Sequence, residues 1–289
     1  MAVLSINIPT ITFVSLELNT HHSLLTTMTY KIYQVDAFTN KLFGGNPAAV
    51  VPLEKWISEE LMQQIAAENN LSETAFYVIQ NERFDIRWFT PLAEVNLCGH
   101  ATLGAAFVIF NCEGFEGNEI PFYSHRSGDL TVKKNGDWLD LTFPSDIVNE
   151  VPLTPELESC FDIKPMAAFK GKTDYMLVFE DESQIRNIRP YLDKISNDAR
   201  GIIVTAKGDS VDFVSRFFAP QVGVNEDPVT GSAHTTLIPY WSHILGKDEL
   251  VAVQLSKRKG FLKCRNLHGK VIISGQGKLY LKGGIYINS

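Results

Sequence analysis

The chain of 289 residues has few cysteines, no long apolar run and no concentrated positive charge. Its four cysteines form no CxxC pair, which argues against a disulfide framework or a structural zinc site and favours reduced thiols in the cytoplasm. The net charge is −7 and no run of five Lys or Arg residues occurs, so nucleic acid is not an expected partner. Because no run of 18 apolar residues occurs, we also expect no membrane span.

Motifs for nucleotides and catalytic metals are absent as well. The sequence has no dinucleotide-binding fingerprint, no P-loop and no HExxH motif, and the glycine pair at 44–45 lacks the spacing of a phosphate loop. We therefore expect no cofactor and no bound metal. The composition, with 45% hydrophobic and 20% charged residues, is typical of a soluble globular protein long enough for two domains.

The first 27 residues contain no Lys or Arg, and polar residues interrupt any apolar core, so they do not resemble a secretory signal. We interpret residues 1–27 as an N-terminal extension, with an extra strand at 11–18 as the alternative. Beyond it the chain reads as strands and turns with a few helices, the clearest at 56–69. Scattered prolines suggest a boundary that divides the chain into halves at 28–148 and 149–289.

Two ten-residue segments of the chain are similar to each other. RWFTPLAEVN at 87–96 and RFFAPQVGVN at 216–225 lie 129 residues apart and share five identities. Each reads as a strand followed by a turn and a helix, and each leads at the same offset to a reactive side chain, Cys98 or Asp227. The repeat predicts two similar halves.

A helix is predicted to begin after each copy of the repeat, at 99–101 in CGHATLGAA and at 230–232 in EDPVTGSAH. The N-terminus of a helix offers unpaired N–H groups and a partial positive charge, and it therefore binds anions. If both helix starts face one cleft, a substrate carboxylate can bind between them. The alternative is that these Gly and Ser residues only cap helices.

Four polar side chains near these segments are candidates for chemistry. Glu73 opens an apolar strand, where desolvation would raise its pKa, although a solvent-facing glutamate is the alternative. His100 and Asp227 could relay or orient protons, or they could be an ordinary helix cap and turn residue. Cys98, next to a helix N-terminus, could have a lowered pKa, or it could be a small buried apolar residue.

Four ordered segments resemble the hallmark segments of the PhzF-like isomerases of phenazine biosynthesis, which are relatives of the diaminopimelate epimerases. They are VDAFTNKLFGGNPAAVV, NLSETAF, RWFTPLAEVNLCGHATLGAA and EDPVTGSAH, and the similarity extends from about Met28 to the C-terminus. The resemblance implies an α+β fold of two similar halves, each a curved, mostly antiparallel, barrel-like sheet around a central helix. It also implies an active site between the halves, closing strands that return to the first half, and a homodimer.

By the same resemblance, Glu73 transfers the proton, and His100 and Asp227 are its polar partners. The residues expected to bind the substrate lie at the two helix starts and in nearby loops: Asn46, Ser72, Gly99, Ala101, Thr102, Gly231 and Ser232.

Racemases and epimerases of this fold use two facing cysteines, one at each helix start. The 129-residue offset aligns Cys98 with Asp227, so the second thiol is absent and two-thiol racemisation is disfavoured. We expect instead a cofactor-independent isomerase in which Glu73 moves a proton between carbons on one face of a small carboxylate-bearing metabolite. The alternatives are a hydrolase or epimerase that depends on Cys98, and a non-catalytic binding or scaffold protein built on the fold.

Overall fold

The computed structural model describes residues 27–80, 82–195 and 198–288. The extension expected at 1–27, with its alternative strand, lies outside the described residues apart from Thr27. Residues Tyr30–Ile285 form one compact unit. The described residues of the second unit, at 27–29 and 286–288, have strand conformation.

The described residues form seventeen strands, five α-helices and two short 3-10 helices. The strands are β1 (Thr27–Ala37), β2 (Asn46–Leu53), β3 (Glu73–Gln80), β4 (Arg83–Phe89), β5 (Glu94–Val95), β6 (Glu119–Ser124), β7 (Gly128–Asn135), β8 (Trp138–Pro144), β9 (Asn149–Val151), β10 (Ala167–Lys170), β11 (Asp174–Val178), β12 (Gly201–Lys207), β13 (Phe213–Phe218), β14 (Glu249–Gln254), β15 (Gly260–Asn266), β16 (Lys270–Gly275) and β17 (Gly277–Asn288). The α-helices are α1 (Glu59–Asn69), α2 (Gly99–Cys112), α3 (Pro155–Glu158), α4 (Glu182–Asn187) and α5 (Gly231–Leu245), and the 3-10 helices are Leu192–Lys194 and Pro220–Val222.

The helix predicted at 56–69 is confirmed as α1, which begins three residues later than the periodic pattern suggests. Ser58 sets the start, because its hydroxyl accepts a hydrogen bond of 3.2 Å from the Leu61 N–H. Asn70 ends the helix in a left-handed conformation with φ 48°. The buried face of α1 consists of Met62, Ile65 and Ala66.

Helices α2 and α5 each lie against one part of the sheet. Helix α2 packs on β2, β3 and β8, and α5 packs on β14, β15 and β16. Close packing of α2 depends on its small residues: a Cβ atom added to Gly104 would lie 3.6 Å from the side chains of both Ala48 and Val50 on β2. The glycine therefore lets the helix backbone approach the sheet.

The same order of strand pairings occurs twice. In the first half, β2 and β3 are parallel, β3 and β4 antiparallel, β4 and β6 parallel, and β6, β7 and β8 antiparallel in turn. In the second half, β11 and β12 are parallel, β12 and β13 antiparallel, β13 and β14 parallel, and β14, β15 and β16 antiparallel in turn. Helix α2 connects β5 to β6, and α5 connects β13 to β14. The prediction of two similar halves, each a curved sheet with a central helix, is confirmed.

The strand registers identify the counterpart of Glu73 in the second half. Glu73 lies opposite Ala48 at the start of the β2–β3 pair, and Gly201 lies opposite Asp174 at the start of the β11–β12 pair. A Cβ atom at Gly201 would lie 2.6 Å from the carbonyl oxygen of Phe218. The second half therefore has no room for a side chain where the first half carries a carboxylate.

The two halves share a continuous sheet. Strand β16 pairs antiparallel with β8, and β1 pairs with β17 as well as with β2. The boundary predicted between residues 148 and 149 falls between β8 and β9 and stays a prediction. Among the helices of the described residues, none is both long and apolar enough to cross a membrane.

Candidate active site

The N-terminal ends of α2 and α5 meet at two glycines. A Cβ atom added to Gly99 would lie 3.7 Å from the Cα of Gly231, and one added to Gly231 would lie 3.6 Å from the Cα of Gly99. The N-cap residues, Cys98 and Thr230, have extended backbones and make no side-chain capping hydrogen bond. Each helix thus brings N–H groups of its first turn, uncapped by a side chain, to the same place, which suits a bound anion.

The offset of the repeat changes by three residues before the second helix begins. In the first half, Arg87 pairs with Glu94, which lies four residues before the N-cap of α2. In the second half, Arg216 pairs with Glu226, which lies four residues before the N-cap of α5. The Arg-to-Glu spacing is longer in the second copy, where the chain passes through the 3-10 helix Pro220–Val222.

The alignment of Cys98 with Asp227 is therefore wrong. The two N-caps correspond, so Thr230 takes the place of Cys98, and Val95 takes the place of Asp227. The match between the two segments was misleading because the second copy contains three additional residues before its helix. The Val-Asn identities at the end of the match therefore pair residues that do not correspond in the structure. The conclusion that the second thiol is absent still holds, since the counterpart of Cys98 is a threonine.

Glu73 and His100 form a buried pair beside the meeting glycines. Oε2 of Glu73 lies 3.0 Å from Nε2 of His100, and the two side chains are 17% and 6% exposed. The two atoms form an ion pair with each other, and neither makes a further hydrogen bond to a described residue, so both can engage a bound molecule.

Asp227 lies on the other side of His100, in a set of hydrogen bonds that joins the two halves. Asn46 donates from Nδ2 to Oδ1 of Asp227 at 2.7 Å and to the carbonyl oxygen of Val229 at 3.0 Å. The hydroxyl of Thr230 donates to Oδ2 of Asp227 at 2.6 Å. Nδ1 of His100 lies 3.3 Å from the same Asn46 nitrogen. The structure thus brings all three residues predicted to be catalytic into one cluster.

The charges of the cluster differ from the sequence-based expectation. Burial acts to raise the pKa of Glu73, but the charge of His100 and the polar contacts with His100 and Cys98 outweigh it and lower that pKa. Burial opposes a charge on His100 too, yet Cys98 and the Glu73 carboxylate raise its pKa well above the usual value. The prediction that desolvation raises the pKa of Glu73 is wrong, because an imidazolium offsets the burial.

Burial raises the pKa of Asp227 to about 6, although His100, Thr230 and Asn46 act in the opposite direction. The site therefore contains two carboxyl groups of different character. Glu73 is a carboxylate paired with a cation, and Asp227 titrates close to neutral pH. Two carboxyl groups with separated pKa values are typical of acid/base catalysis.

The sequence analysis missed Gln254, a fully buried residue of β14. Its Nε2 donates to the carbonyl oxygen of Asp227 at 2.8 Å and to the Thr230 hydroxyl at 3.1 Å, and its Oε1 accepts from the Thr230 N–H at 2.8 Å. These contacts hold the segment that carries Asp227 against the sheet. No local motif marks Gln254, because it reaches the segment only through the pairing of β13 with β14.

Gln254→Ala is expected to lower the free energy of unfolding by about 2 to 4 kcal/mol, because it leaves a buried N–H and a buried carbonyl unpaired and removes side-chain volume. Urea denaturation followed by fluorescence measures the change. The matched control is Gln63→Ala, since Gln63 donates one hydrogen bond of 2.9 Å to the Thr90 carbonyl. An equal loss of stability in the two variants would contradict the importance assigned to Gln254.

Cys98 is not an activated thiol in this structure. It is 6% exposed, and burial together with the nearby Glu73 carboxylate raises its pKa to about 11. The expectation of a pKa lowered by the helix N-terminus is wrong, because desolvation of the thiolate outweighs the helix dipole. His100 lies 3.5 Å from the Cys98 sulfur through Nδ1, but at this pKa the thiol stays protonated at neutral pH. A hydrolase that uses Cys98 as its nucleophile is thereby disfavoured.

Iodoacetamide is expected to leave Cys98 unmodified in the folded protein at pH 7, since a thiol with a pKa near 11 has about one thiolate in ten thousand molecules. Cys112 is partly exposed and serves as the internal reference. Peptide mass mapping after timed labelling measures both sites. Faster labelling of Cys98 than of Cys112 would contradict the raised pKa and would support Cys98 as a nucleophile.

The remaining residues predicted to bind substrate occupy different positions. The Ser72 hydroxyl donates to Oδ1 of Asn46 at 3.3 Å, and Ser232 is exposed at the start of α5. Ala101 is fully buried. Thr102 has no free donor for a carboxylate, because its N–H and its hydroxyl both donate to the Cys98 carbonyl, the hydroxyl at 2.6 Å. Its assignment as a binding residue stays a prediction.

A large surface cavity lies elsewhere. It has a volume of about 700 Å³ and is lined at the C-terminal end of α5 by residues that include His243, Asp248 and His268. A helix of this length separates it from the pair of helix starts. The chemical groups converge at the other end of α5, so we place the site there and not in this cavity.

The fold and the site define a class of protein. Two halves with the same pairing order meet at two helix N-termini, with Glu73, His100 and Asp227 beside them, in an epimerase-like fold. A predicted epimerase of Pseudomonas aeruginosa has this fold, with a TM-score of 0.66 and 19% identity over 89% of this chain and 99% of that one.

The chain belongs to the phenazine biosynthesis-like (PhzF) family, whose family model matches residues 35–283. An uncharacterized isomerase of Pseudomonas aeruginosa is 48% identical over 90% of this chain and all of that protein. The crystal structure of a PhzF-family protein of Enterococcus faecalis matches with a TM-score of 0.88 and 47% identity, over 90% of this chain and all of that one. The predicted family is confirmed, and the enzyme class that these comparisons support is isomerase.

Proposed function

We propose that the protein is a cofactor-independent isomerase that moves a proton within a small carboxylate-bearing metabolite, with Glu73 as the acid/base. The observation that carries the proposal is the buried pair of Glu73 and His100 at the place where two uncapped helix N-termini meet. The helix ends supply N–H donors for a substrate carboxylate, and the pair supplies a base next to it.

Proton transfer at this site follows from the charges. The Glu73 carboxylate removes a proton from a carbon of the bound substrate and becomes a carboxylic acid. The electron pair delocalises into an adjacent unsaturated group, and the developing negative charge is stabilised by the His100 imidazolium and the helix N–H groups. Glu73, whose side chain is 17% exposed, exchanges its proton with solvent in part of the turnovers. It then delivers a proton to another carbon on the same face, which restores the resting charge state.

The asymmetry of the halves favours a single base. Glu73 has Gly201 as its counterpart, and Cys98 has Thr230. Neither pair provides a second acid/base group facing the first, as inversion at one carbon requires. Asp227 instead accepts hydrogen bonds from Asn46 and Thr230, and we assign it the role of holding Asn46 and the charge of His100 in place.

Substrate binding is assigned to the groups exposed around this pair. Gly99, Gly231 and Ser232 are assigned to the carboxylate through their amides, and the Ser232 hydroxyl adds a donor. Ser72 and Asn46 form the side next to Glu73. We further propose that the protein acts as a homodimer in the cytoplasm, where four free cysteines are compatible with a reducing environment.

Exchange with solvent deuterium tests the proposal across a range of substrates. The protein is incubated in D₂O with a panel of small unsaturated carboxylic acids, and each acid is analysed by mass spectrometry and NMR. Enzyme-dependent incorporation of deuterium at carbon, together with a shifted double bond, is expected for at least one acid. Uptake that persists after heat inactivation is non-enzymatic, and uptake of deuterium with inversion at one carbon would contradict the single-base shuttle.

A further inference from the structure

Three side chains with different ligand atoms converge beside the start of α2. Glu73 offers a carboxylate oxygen, Cys98 a sulfur and His100 a ring nitrogen, and these three atoms all lie within 4.8 Å of one another. Within 27–80, 82–195 and 198–288, no other group of three His, Cys, Asp or Glu side chains comes this close together. Sulfur, imidazole nitrogen and carboxylate oxygen are the ligands that Zn²⁺ takes in proteins.

Two of these atoms are buried without a hydrogen-bond partner among the described residues. They are Oε2 of Glu73 and Nε2 of His100. Their contact is the ion pair of 3.0 Å, and neither atom makes another polar contact among the described residues, so both keep capacity for a further ligand. The sulfur of Cys98 lies on the other edge of the imidazole, 3.5 Å from Nδ1. The ring of His100 therefore has a carboxylate at one nitrogen and a thiol at the other.

The spacing is close to that of a zinc site. Bonds of about 2.0 to 2.3 Å in a tetrahedron separate the ligand atoms by roughly 3.3 to 3.7 Å. Oε2 of Glu73 and Nε2 of His100 are 3.0 Å apart. One nitrogen of the ring has both the sulfur and a carboxylate oxygen within 4.8 Å. The proposed site requires a rotation of the His100 and Cys98 side chains that brings all three atoms to bonding distance of one ion. Three protein ligands then leave the fourth position of the metal for water or substrate.

We propose that Glu73, Cys98 and His100 form a zinc-capture site, and that bound Zn²⁺ inhibits the enzyme by occupying the pair that transfers the proton. The proposed metal binding is argued from the positions of these three side chains and does not depend on the proposed function. The inhibitory effect rests on the proposed function of Glu73. Zinc here competes with catalysis and is not a cofactor of the reaction.

Cobalt(II) tests binding without an activity assay, because it enters tetrahedral zinc sites and gives a thiolate-to-metal charge-transfer band when a cysteine coordinates. The full-length protein titrated with CoCl₂ is expected to develop this band, and ZnCl₂ is expected to abolish it. Cys98→Ser is expected to remove the band and to weaken zinc binding by roughly 100-fold or more, measured by competition with a chromophoric chelator. Serine is a favoured N-cap residue, so the variant is expected to fold.

Cys112→Ser is the matched control, since Cys112 ends the same helix and belongs to no such cluster. It is expected to keep the cobalt band and the zinc affinity of the parent protein. A band that survives in Cys98→Ser, or no band in the parent protein, would overturn the site. A band lost equally in both variants would also overturn it, because the signal would then not report on Cys98.

Inhibition is measured separately, as the ratio of substrate deuteration with and without ZnCl₂ in one preparation. The ratio is expected to fall at least tenfold at saturating zinc, because the metal holds Glu73, and EDTA is expected to restore it. Zinc bound at the cluster with an unchanged ratio would overturn the inhibitory role. A protein that shows the cobalt band but deuterates no acid of the panel would contradict the proposed function and leave the metal site supported.

Discussion

Glu73→Gln is expected to lower the rate of substrate deuteration by roughly 100- to 10,000-fold, the range that a positioned general acid or base contributes. The amide has nearly the shape of the carboxylate, but it cannot accept a proton at neutral pH. His100 also loses the counter-charge at 3.0 Å that keeps it protonated. Deuterium incorporation at equal enzyme concentration measures the loss, and circular dichroism verifies that the variant is folded.

Glu59→Gln is the control for this experiment, since Glu59 lies in the same half and pairs with Arg87 at an exposed position. Loss of an exposed ion pair has little effect on stability, so the rate is expected to remain within about twofold of the parent. Equal rates for Glu73→Gln and the parent protein would remove Glu73 from the mechanism. A similar loss in both variants would indicate a general effect of charge.

The sequence was sufficient for the outline of the fold because the repeat and the helix starts are local features. Apolar strands that end in polar turns, and small residues at the start of α2 and α5, are readable in a single segment. Glu73 could be placed at the mouth of a strand for the same reason, and the structure has it as the first residue of β3. Local patterns therefore sufficed to name the acid/base candidate.

Local patterns did not show which residues of the two halves correspond to each other. The Val-Asn identities at the end of the repeat aligned Cys98 with Asp227, whereas the helix caps align Cys98 with Thr230. A three-residue insertion in a loop leaves no compositional trace, because loops accept such changes. The counterpart of Glu73, Gly201, was likewise visible only from the pairing of strands.

The charge states of Glu73, His100 and Cys98 could be assigned only from the folded site. Glu73 and His100 are far apart along the chain, and only the packing of β3 next to α2 makes each the counter-ion of the other. From sequence, desolvation was the only effect that could be considered for Glu73, and it gave the wrong sign. For Cys98 the helix dipole was considered, and burial reversed it. The direction of each pKa shift therefore depends on which groups are neighbours in the folded protein, and the sequence around a single residue does not show this.

Asp227→Asn is expected to stabilise the protein at neutral pH while lowering its activity by roughly 10- to 1,000-fold. Burial raises the pKa of Asp227 from 3.8 to about 6, so the native state binds this proton more tightly than the unfolded chain does. For a carboxyl group shifted in this direction, the free energy of unfolding falls as the pH rises from 3.8 through 6. The full shift in pKa corresponds to about 3 kcal/mol of stability that the parent protein loses between low and neutral pH. The side chain of asparagine carries no charge, so the variant does not lose this stability.

Urea denaturation of the parent protein and of Asp227→Asn at pH 4 and pH 7.5 measures this effect as a difference of differences, in which changes in packing cancel. The variant is expected to gain about 1 to 3 kcal/mol relative to the parent between the two values. Asp174→Asn is the control, because Asp174 pairs with Arg200 in the second half and its loss is expected to destabilise the protein. A variant at position 227 that is less stable than the parent by the same amount at both values would contradict the raised pKa. If Asp227→Asn gains stability and keeps full activity, the buried carboxyl group of Asp227 has no role in the reaction.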